Sequence, residues 1–306
     1  MIIQSSEIKA AFSYSPITLS ADYRQLDLQI KISAPAQGNH LPIILLAHGF
    51  AKSMRDYTPL VDYWTENGFV VIQPTFLDSK TLGLSPTDPR TPNIWQHRLA
   101  DMTNILDNLS VIENSVPFLK GRLDYSKIAA VGHSYGAQTV GMLLGARVIG
   151  TDGHLGLDKS DSRIRAGVLL SATGLGGEFL SPFAAEHFSF MSPSFTELKT
   201  PTMVVAGDQD DSPLSSRGPD WFIEPYTLSP GANALLTLHG GEHLLGGITG
   251  YGVTDTTDED PDRVLAVQRL TTAYLHSALN INQPAWDQAV EAFNQGSPSV
   301  GTINQK

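Results

Sequence analysis

The 306-residue chain contains no cysteine. That absence excludes disulfides, cysteine catalysis and thiolate metal sites. Basic residues are also few: 20 Lys and Arg stand against 31 Asp and Glu, for a formal charge of -11, and they form no cluster. Neither a nucleic acid nor an anionic membrane surface is an expected partner for such a chain. No apolar run approaches the roughly 18 residues that a membrane span needs. The opening Met1 to Glu7 lacks a basic stretch followed by an apolar one. No signal peptide is therefore expected, and the cytoplasm is the default location. What remains, at 41% hydrophobic and 17% charged residues, is the composition of a folded domain with a full core.

Residues 23–33 alternate, with Leu26, Leu28, Ile30 and Ile32 on one face and Asp27, Gln29 and Lys31 on the other. A period of two predicts a half-buried antiparallel strand, paired in a meander with the segment at 12–19. From residue 42 the pattern changes to continuous apolar runs at 43–47, 69–72, 128–131, 166–170, 202–206 and 234–238. Such runs predict strands covered on both faces. Helical periodicity separates them at 57–67, 94–112, 137–148 and 262–279. Strands alternating with helices after a meander predict one α/β domain over 1–280, a doubly wound, mostly parallel sheet. Residues 172–199, rich in Gly, Ser, Pro and scattered Phe, are candidates for a flap or small lid. Their phenylalanines would either line an acyl pocket or pack that flap. The tail, 281–306, is expected to form a short helix near Trp286 to Phe293 and then fray.

One stretch carries a specific chemical signal. An apolar run ends in Gly132-His133-Ser134-Tyr135-Gly136, and a helical segment follows. A strand, Gly-x-Ser-x-Gly and a helix describe a turn that projects a serine hydroxyl above the sheet edge. Glycine on both sides removes the side chains that would collide across so tight a turn. Ser134 is accordingly the candidate nucleophile. A serine hydroxyl needs a base, and a histidine base needs a carboxylate to fix its tautomer and stabilise its charged form.

Loops at the carboxyl ends of later strands supply both groups, in the chain order nucleophile, acid, base. Asp208, Asp210 and Asp211 share the first loop. Asp210 is the preferred acid, since Asp208 directly follows the strand and is suited to bracing the turn. The second loop, Gly240-Gly241-Glu242-His243, offers His243 as base, its glycines permitting close approach to Ser134. His48 and His133 are expected to hydrogen-bond or pack rather than transfer protons. Two backbone N–H groups should bind the developing oxyanion. One belongs to Tyr135, after the nucleophile, and the other to Phe50 or Ala51, with Phe50 preferred. Arg98 and Asp101 are expected to make ion pairs. The acidic run at 255–260 lacks the spacing and glycine of a calcium-binding EF-hand loop, and is expected to be a solvated loop or helix start.

Over roughly residues 20–280 the sequence resembles the α/β-hydrolase superfamily. The likeness rests on His48-Gly49-Phe50, Gly132-His133-Ser134-Tyr135-Gly136-Ala137, Gly207-Asp208-Gln209-Asp210 and Gly240-Gly241-Glu242-His243. Within the superfamily it is most similar to dienelactone-hydrolase-like proteins, chlorophyllases, the platelet-activating-factor acetylhydrolase type and bacterial polyester hydrolases. The resemblance implies an α/β-hydrolase fold and a serine carboxylesterase that hydrolyses small or medium esters through an acyl-enzyme, with no metal and no organic cofactor. Acyl transfer, amide cleavage and perhydrolysis are the alternatives on the same triad. A non-catalytic binding module is the alternative of a different class. Two departures narrow it. Dienelactone hydrolases proper use a cysteine nucleophile, and the stretch Ser171-Ala172-Thr173-Gly174-Leu175 lacks the aromatic clamp usual in secreted polyester hydrolases.

Overall fold

The computed structural model of the chain describes residues 10–188, 190–296 and 299–306. Strands β1 (Ala11–Leu19) and β2 (Leu28–Pro35) pair antiparallel, as the alternating pattern predicts. Leu28, Ile30 and Ile32 are fully buried on one face of β2. Leu26, expected on that face, is instead exposed. A 3-10 turn at Asp22–Arg24 ends in a left-handed Gln25, so Leu26 precedes the strand.

Strands β3 (Leu41–Ala47), β4 (Val70–Pro74), β5 (Leu123–His133), β7 (Ile164–Leu170), β9 (Thr202–Gly207) and β10 (Ala232–Leu238) follow the apolar runs. A two-residue ribbon, β6 (Arg147–Val148) with β8 (Pro193–Ser194), lies apart from them. The sheet order is β1-β2-β4-β3-β5-β7-β9-β10-β11, parallel from β4 to β10. Strand β11 (Gly301–Gln305) closes one edge, antiparallel to β10. The expectation that the tail frays is thereby corrected. Ile303 pairs with Leu236 and packs against the core, and the strand occupies an edge that would otherwise be open.

Alternate residues of each central strand enter different cores. Ile43, Leu45, Ile128 and Ala130 face one side of the sheet, and Ile44, Leu46, Ala129 and Val131 the other. The first side is covered by α2 (Ile94–Asp107), α3 (Leu109–Ser115) and α4 (Tyr135–Leu143), the second by α1 (Thr58–Glu66), α7 (Pro261–Ala278) and α8 (Ala285–Gly296). Each fully buried Leu or Ile contributes about 1.5–3 kcal/mol, which is why the runs hold the sheet so firmly. The predicted 94–112 helix breaks at Asn108, whose amide bonds back to the Asn104 carbonyl at 2.9 Å. The predicted 137–148 helix stops short, because Gly145 turns the chain at φ 119° towards β6. Among the described residues, no helix is long and apolar enough to cross a membrane.

Candidate active site

Strand β5 ends at His133 and α4 starts at Tyr135, leaving Ser134 alone to turn the chain. Its backbone sits at φ 54°, ψ -121°, a conformation costly for any side-chain-bearing residue. The Ser134 N–H donates to the Leu170 carbonyl of β7 at 2.9 Å, which helps hold the strained residue. Both flanking glycines are obligatory on steric grounds. A Cβ at Gly132 would stand 2.2 Å from the Gly136 oxygen, and one at Gly136 would stand 2.0 Å from the Ala47 oxygen.

The His243 Nε2 lies 2.9 Å from the Ser134 hydroxyl. Its Nδ1 lies 3.0 and 3.1 Å from the two carboxylate oxygens of Asp210. Asp210 is fully buried, while the His243 side chain is 36% exposed. The other two candidate acids lie elsewhere. The carboxylate of Asp208 accepts the Gly240 N–H at 2.7 Å and braces the turn, and Asp211 is exposed. The acid and base loops touch backbone to backbone, since a Cβ at Gly207 would fall 2.0 Å from the Gly241 oxygen.

Several groups fix the loop that carries His243. Asp258 accepts the N–H groups of Glu242 and Gly246, at 2.9 and 3.0 Å, on either side of the histidine. Arg263 of α7 pairs with Asp258 at 3.6 Å and donates to the His239 carbonyl at 2.8 Å. The His243 carbonyl receives the Ser171 hydroxyl at 3.1 Å and His133 Nε2 at 2.8 Å. The acidic run at 255–260 thus has structural work: Asp255 pairs with Lys52, Asp258 holds the loop and Asp260 caps α7. Among the described residues, no three His, Asp or Glu side chains gather as a metal site.

His133 does more than pack. The Gly49 N–H donates to the Tyr57 hydroxyl at 2.9 Å, which donates to His133 Nδ1 at 2.9 Å, leaving Nε2–H for the His243 carbonyl. One buried chain of hydrogen bonds therefore ties the turn after β3 to the loop after β10. It fixes His133 in a single neutral tautomer, and burial pushes the His133 pKa down to about 3. His48 is buried likewise. Burial, helped by the nearby Arg98 charge, takes its pKa to about 3. Its Nε2 accepts the Phe76 N–H at 3.0 Å, so its Nδ1–H donates to the Gly49 carbonyl at 2.7 Å.

The turn after β3 holds the two candidate oxyanion donors at 50 and 51. The Ala51 N–H is taken by Asp78 at 3.3 Å. The N–H groups of Phe50 and Tyr135 have no partner among the described residues. Arg98 and Asp101 do form ion pairs, both deep in the protein: Arg98 with Asp78 at 2.7 Å and Asp101 with Arg24 at 2.5 Å.

The segment at 172–199 supplies one wall. It includes a 3-10 turn at Gly177–Phe179 and the helix α5 (Pro182–His187). Phe190 stacks on the Tyr135 ring at 5.8 Å and on the Trp95 ring at 5.9 Å. Phe222, from a 3-10 turn at Pro219–Ile223, lies 5.7 Å from the His243 ring. Phe188, Phe190 and Phe222 belong to one small apolar cluster with Trp221 and Leu180. A separate groove of about 650 Å3 lies between α2 and α4 and does not reach Ser134.

Tyr57, Asp78 and Phe222 are not among the residues the sequence singles out, and Asp258 enters there only as part of the acidic run at 255–260. Of these, only the N-terminal setting of Asp258 in an acidic run before a helix gave a local signal. The profile of the alpha/beta hydrolase family matches residues 44–292. No curated protein matches the chain.

Proposed function

The chain belongs to the α/β-hydrolase family, and from that premise we propose that it is a serine carboxylic-ester hydrolase acting on small or medium esters. The observation that carries the reading is the unbroken line from Ser134 through His243 to buried Asp210, with contacts of 2.9 and 3.0 Å. His243 Nε2 removes the hydroxyl proton as Ser134 Oγ attacks the ester carbonyl, and Asp210 stabilises the imidazolium that forms. The tetrahedral oxyanion accepts hydrogen bonds from the N–H groups of Phe50 and Tyr135, which have no partner among the described residues. Collapse of that adduct breaks the bond to the alcohol, which leaves with the proton held by His243. Water then attacks the acyl-enzyme, with His243 as base, and releases the acid and free Ser134.

Phe190 against the Tyr135 ring and Phe222 against the His243 ring put aromatic surface beside two neighbours of the nucleophile, which favours an apolar group on the ester. Activated aryl esters of increasing acyl length test the reading. Wild type should release the first equivalent of phenol in a burst, and Ser134→Ala should lose about 10^4-fold or more in turnover. Full activity in Ser134→Ala would reject it.

A further inference from the structure

The turn after β3 is occupied in an unusual way. On the backbone around Phe50, the N–H of Gly49 binds Tyr57 and that of Ala51 binds Asp78, at 2.9 and 3.3 Å. The carbonyl of His48 accepts Arg98 Nη1 at 2.8 Å. The carbonyl of Gly49 accepts three donors: His48 Nδ1 at 2.7 Å, the Lys52 N–H at 3.3 Å and Arg98 Nη2 at 3.4 Å. That carbonyl and the Phe50 N–H belong to the same planar trans peptide, so they point in opposite directions. Whatever pins the Gly49 oxygen therefore aims the Phe50 N–H.

Arg98 is well suited to that task. Its Nε and Nη2 grip both oxygens of Asp78, at 2.9 and 2.7 Å, while its remaining donors face the two turn carbonyls. The flat guanidinium is sandwiched between the rings of Phe76 and Tyr135, at 4.3 and 4.2 Å. Both partners are essentially out of solvent, at 0% and 1% exposure. An ion pair so deep is expensive to bury, and an apolar pair would fill the space as well. The ion pair supplies what an apolar pair cannot, namely guanidinium donors at fixed angles to two backbone carbonyls and a carboxylate oxygen of Asp78 to accept the Ala51 N–H.

We propose that Arg98, locked by Asp78 and by the Phe76 and Tyr135 rings, is a positioning residue that aims the Phe50 N–H at the reacting carbonyl oxygen. This rests on the proposed roles of Ser134 as nucleophile and of Phe50 and Tyr135 as oxyanion donors. The pair satisfies the neighbouring polar groups of the turn and leaves that one donor unspent. Lysine keeps the charge but is a point donor, unable to grip Asp78 bidentately, reach both carbonyls and stack at once.

The test compares wild type, Arg98→Lys, Asp78→Asn and Ser134→Ala, with active sites counted by fluorophosphonate titration. Arg98→Lys should lose roughly 10- to 100-fold in kcat per labelled site, short of the about 100- to 1000-fold that full loss of a donor costs. KM should stay within about twofold, since the donor acts on the transition state. Affinity for a trifluoromethyl ketone, which forms a tetrahedral adduct, should fall by the same factor as kcat. Asp78→Asn should move both quantities in the same direction by less, and it carries the test if Arg98→Lys folds poorly. A lower Tm or fewer labelled sites, with kcat per labelled site and ketone affinity unchanged, would show a merely structural pair and overturn the proposal. Turnover surviving in Ser134→Ala would instead overturn the esterase reading on which it rests.

Discussion

Two loops bring partners to Ser134, and an arginine–aspartate pair holds each of them. After β3 the pair is Arg98 with Asp78, and beside the loop after β10 it is Arg263 with Asp258. The division of labour is the same. The arginine serves backbone carbonyls, those of His48 and Gly49 in one case and those of His239 and Asp258 in the other. The aspartate serves backbone N–H groups, that of Ala51 in one case and those of Glu242 and Gly246 in the other. The depth differs. Arg98 and Asp78 are dry and in bidentate contact, whereas Arg263 is 18% exposed and its contact with Asp258 is 3.6 Å.

The difference follows from what else holds each loop. The loop of His243 has independent supports, including Asp208, Ser171, His133 and the close contact between Gly207 and Gly241. The turn of Phe50 shares the Tyr57–His133 chain with that loop, and beyond it rests on His48 and the buried Arg98–Asp78 cluster. In such a cluster the Asp78 carboxyl feels two opposed effects. Burial would raise its pKa, but the Arg98 charge and hydrogen bonds outweigh that and hold it below the ordinary range.

The comparison can be broken most forcefully at the acid. Asp210→Asn should lower kcat by about 10^4-fold with little change in Tm, because it leaves His243 without its charged partner. Asp208→Asn should do the reverse, costing roughly 1 kcal/mol of stability at near-native turnover, since it only braces Gly240. Equal losses of turnover in the two variants would show that the loop, not Asp210, carries the effect.

Next in size is the contrast between the two pairs. Arg98→Ala strands the buried Asp78 and should cost about 3–5 kcal/mol in denaturant unfolding. Arg263→Ala leaves an Asp258 carboxylate that is only 4% exposed but keeps two N–H partners, so a smaller cost of about 1–3 kcal/mol is expected. Similar costs for both would remove the distinction between a buried clamp and distributed support.

The smallest effect concerns acid. His48 and His133 stay neutral in the folded protein down to about pH 3, whereas in the unfolded chain they titrate near pH 6.5. Between those values the unfolded state binds more protons, so stability falls as pH drops and rises with pH. Each histidine contributes a slope of up to about 1.4 kcal/mol per pH unit across that window. His133→Gln should flatten the acid limb of the stability curve by about that amount. An unchanged slope would place the protonation elsewhere.

Much of this arrangement was legible in the sequence. The continuous apolar runs located the parallel strands, and Gly132 and Gly136 marked the elbow because no other residue fits against the Gly136 and Ala47 carbonyls. His243 was readable from its glycines. The choice of Asp210 over Asp208 could be argued but not forced, because it depends on how the loop folds back. The clamp was not legible, because its acceptors are backbone carbonyls and Asp78 lies in a long irregular loop. One hint was available: Arg98 falls in the buried stripe of Ile94, Met102 and Ile105, where a charge at helical spacing calls for a buried partner. The final strand escaped because five mostly polar residues with one inward Ile303 carry almost no periodicity.

The central claim is that Ser134 is the nucleophile that His243 and Asp210 activate. Intact-mass analysis after treatment with a fluorophosphonate, followed by peptide mapping, tests it most directly. One adduct per chain on Ser134, lost in Ser134→Ala and slowed strongly in His243→Ala, is the predicted result. An unlabelled wild type, or an adduct retained in Ser134→Ala, would contradict it.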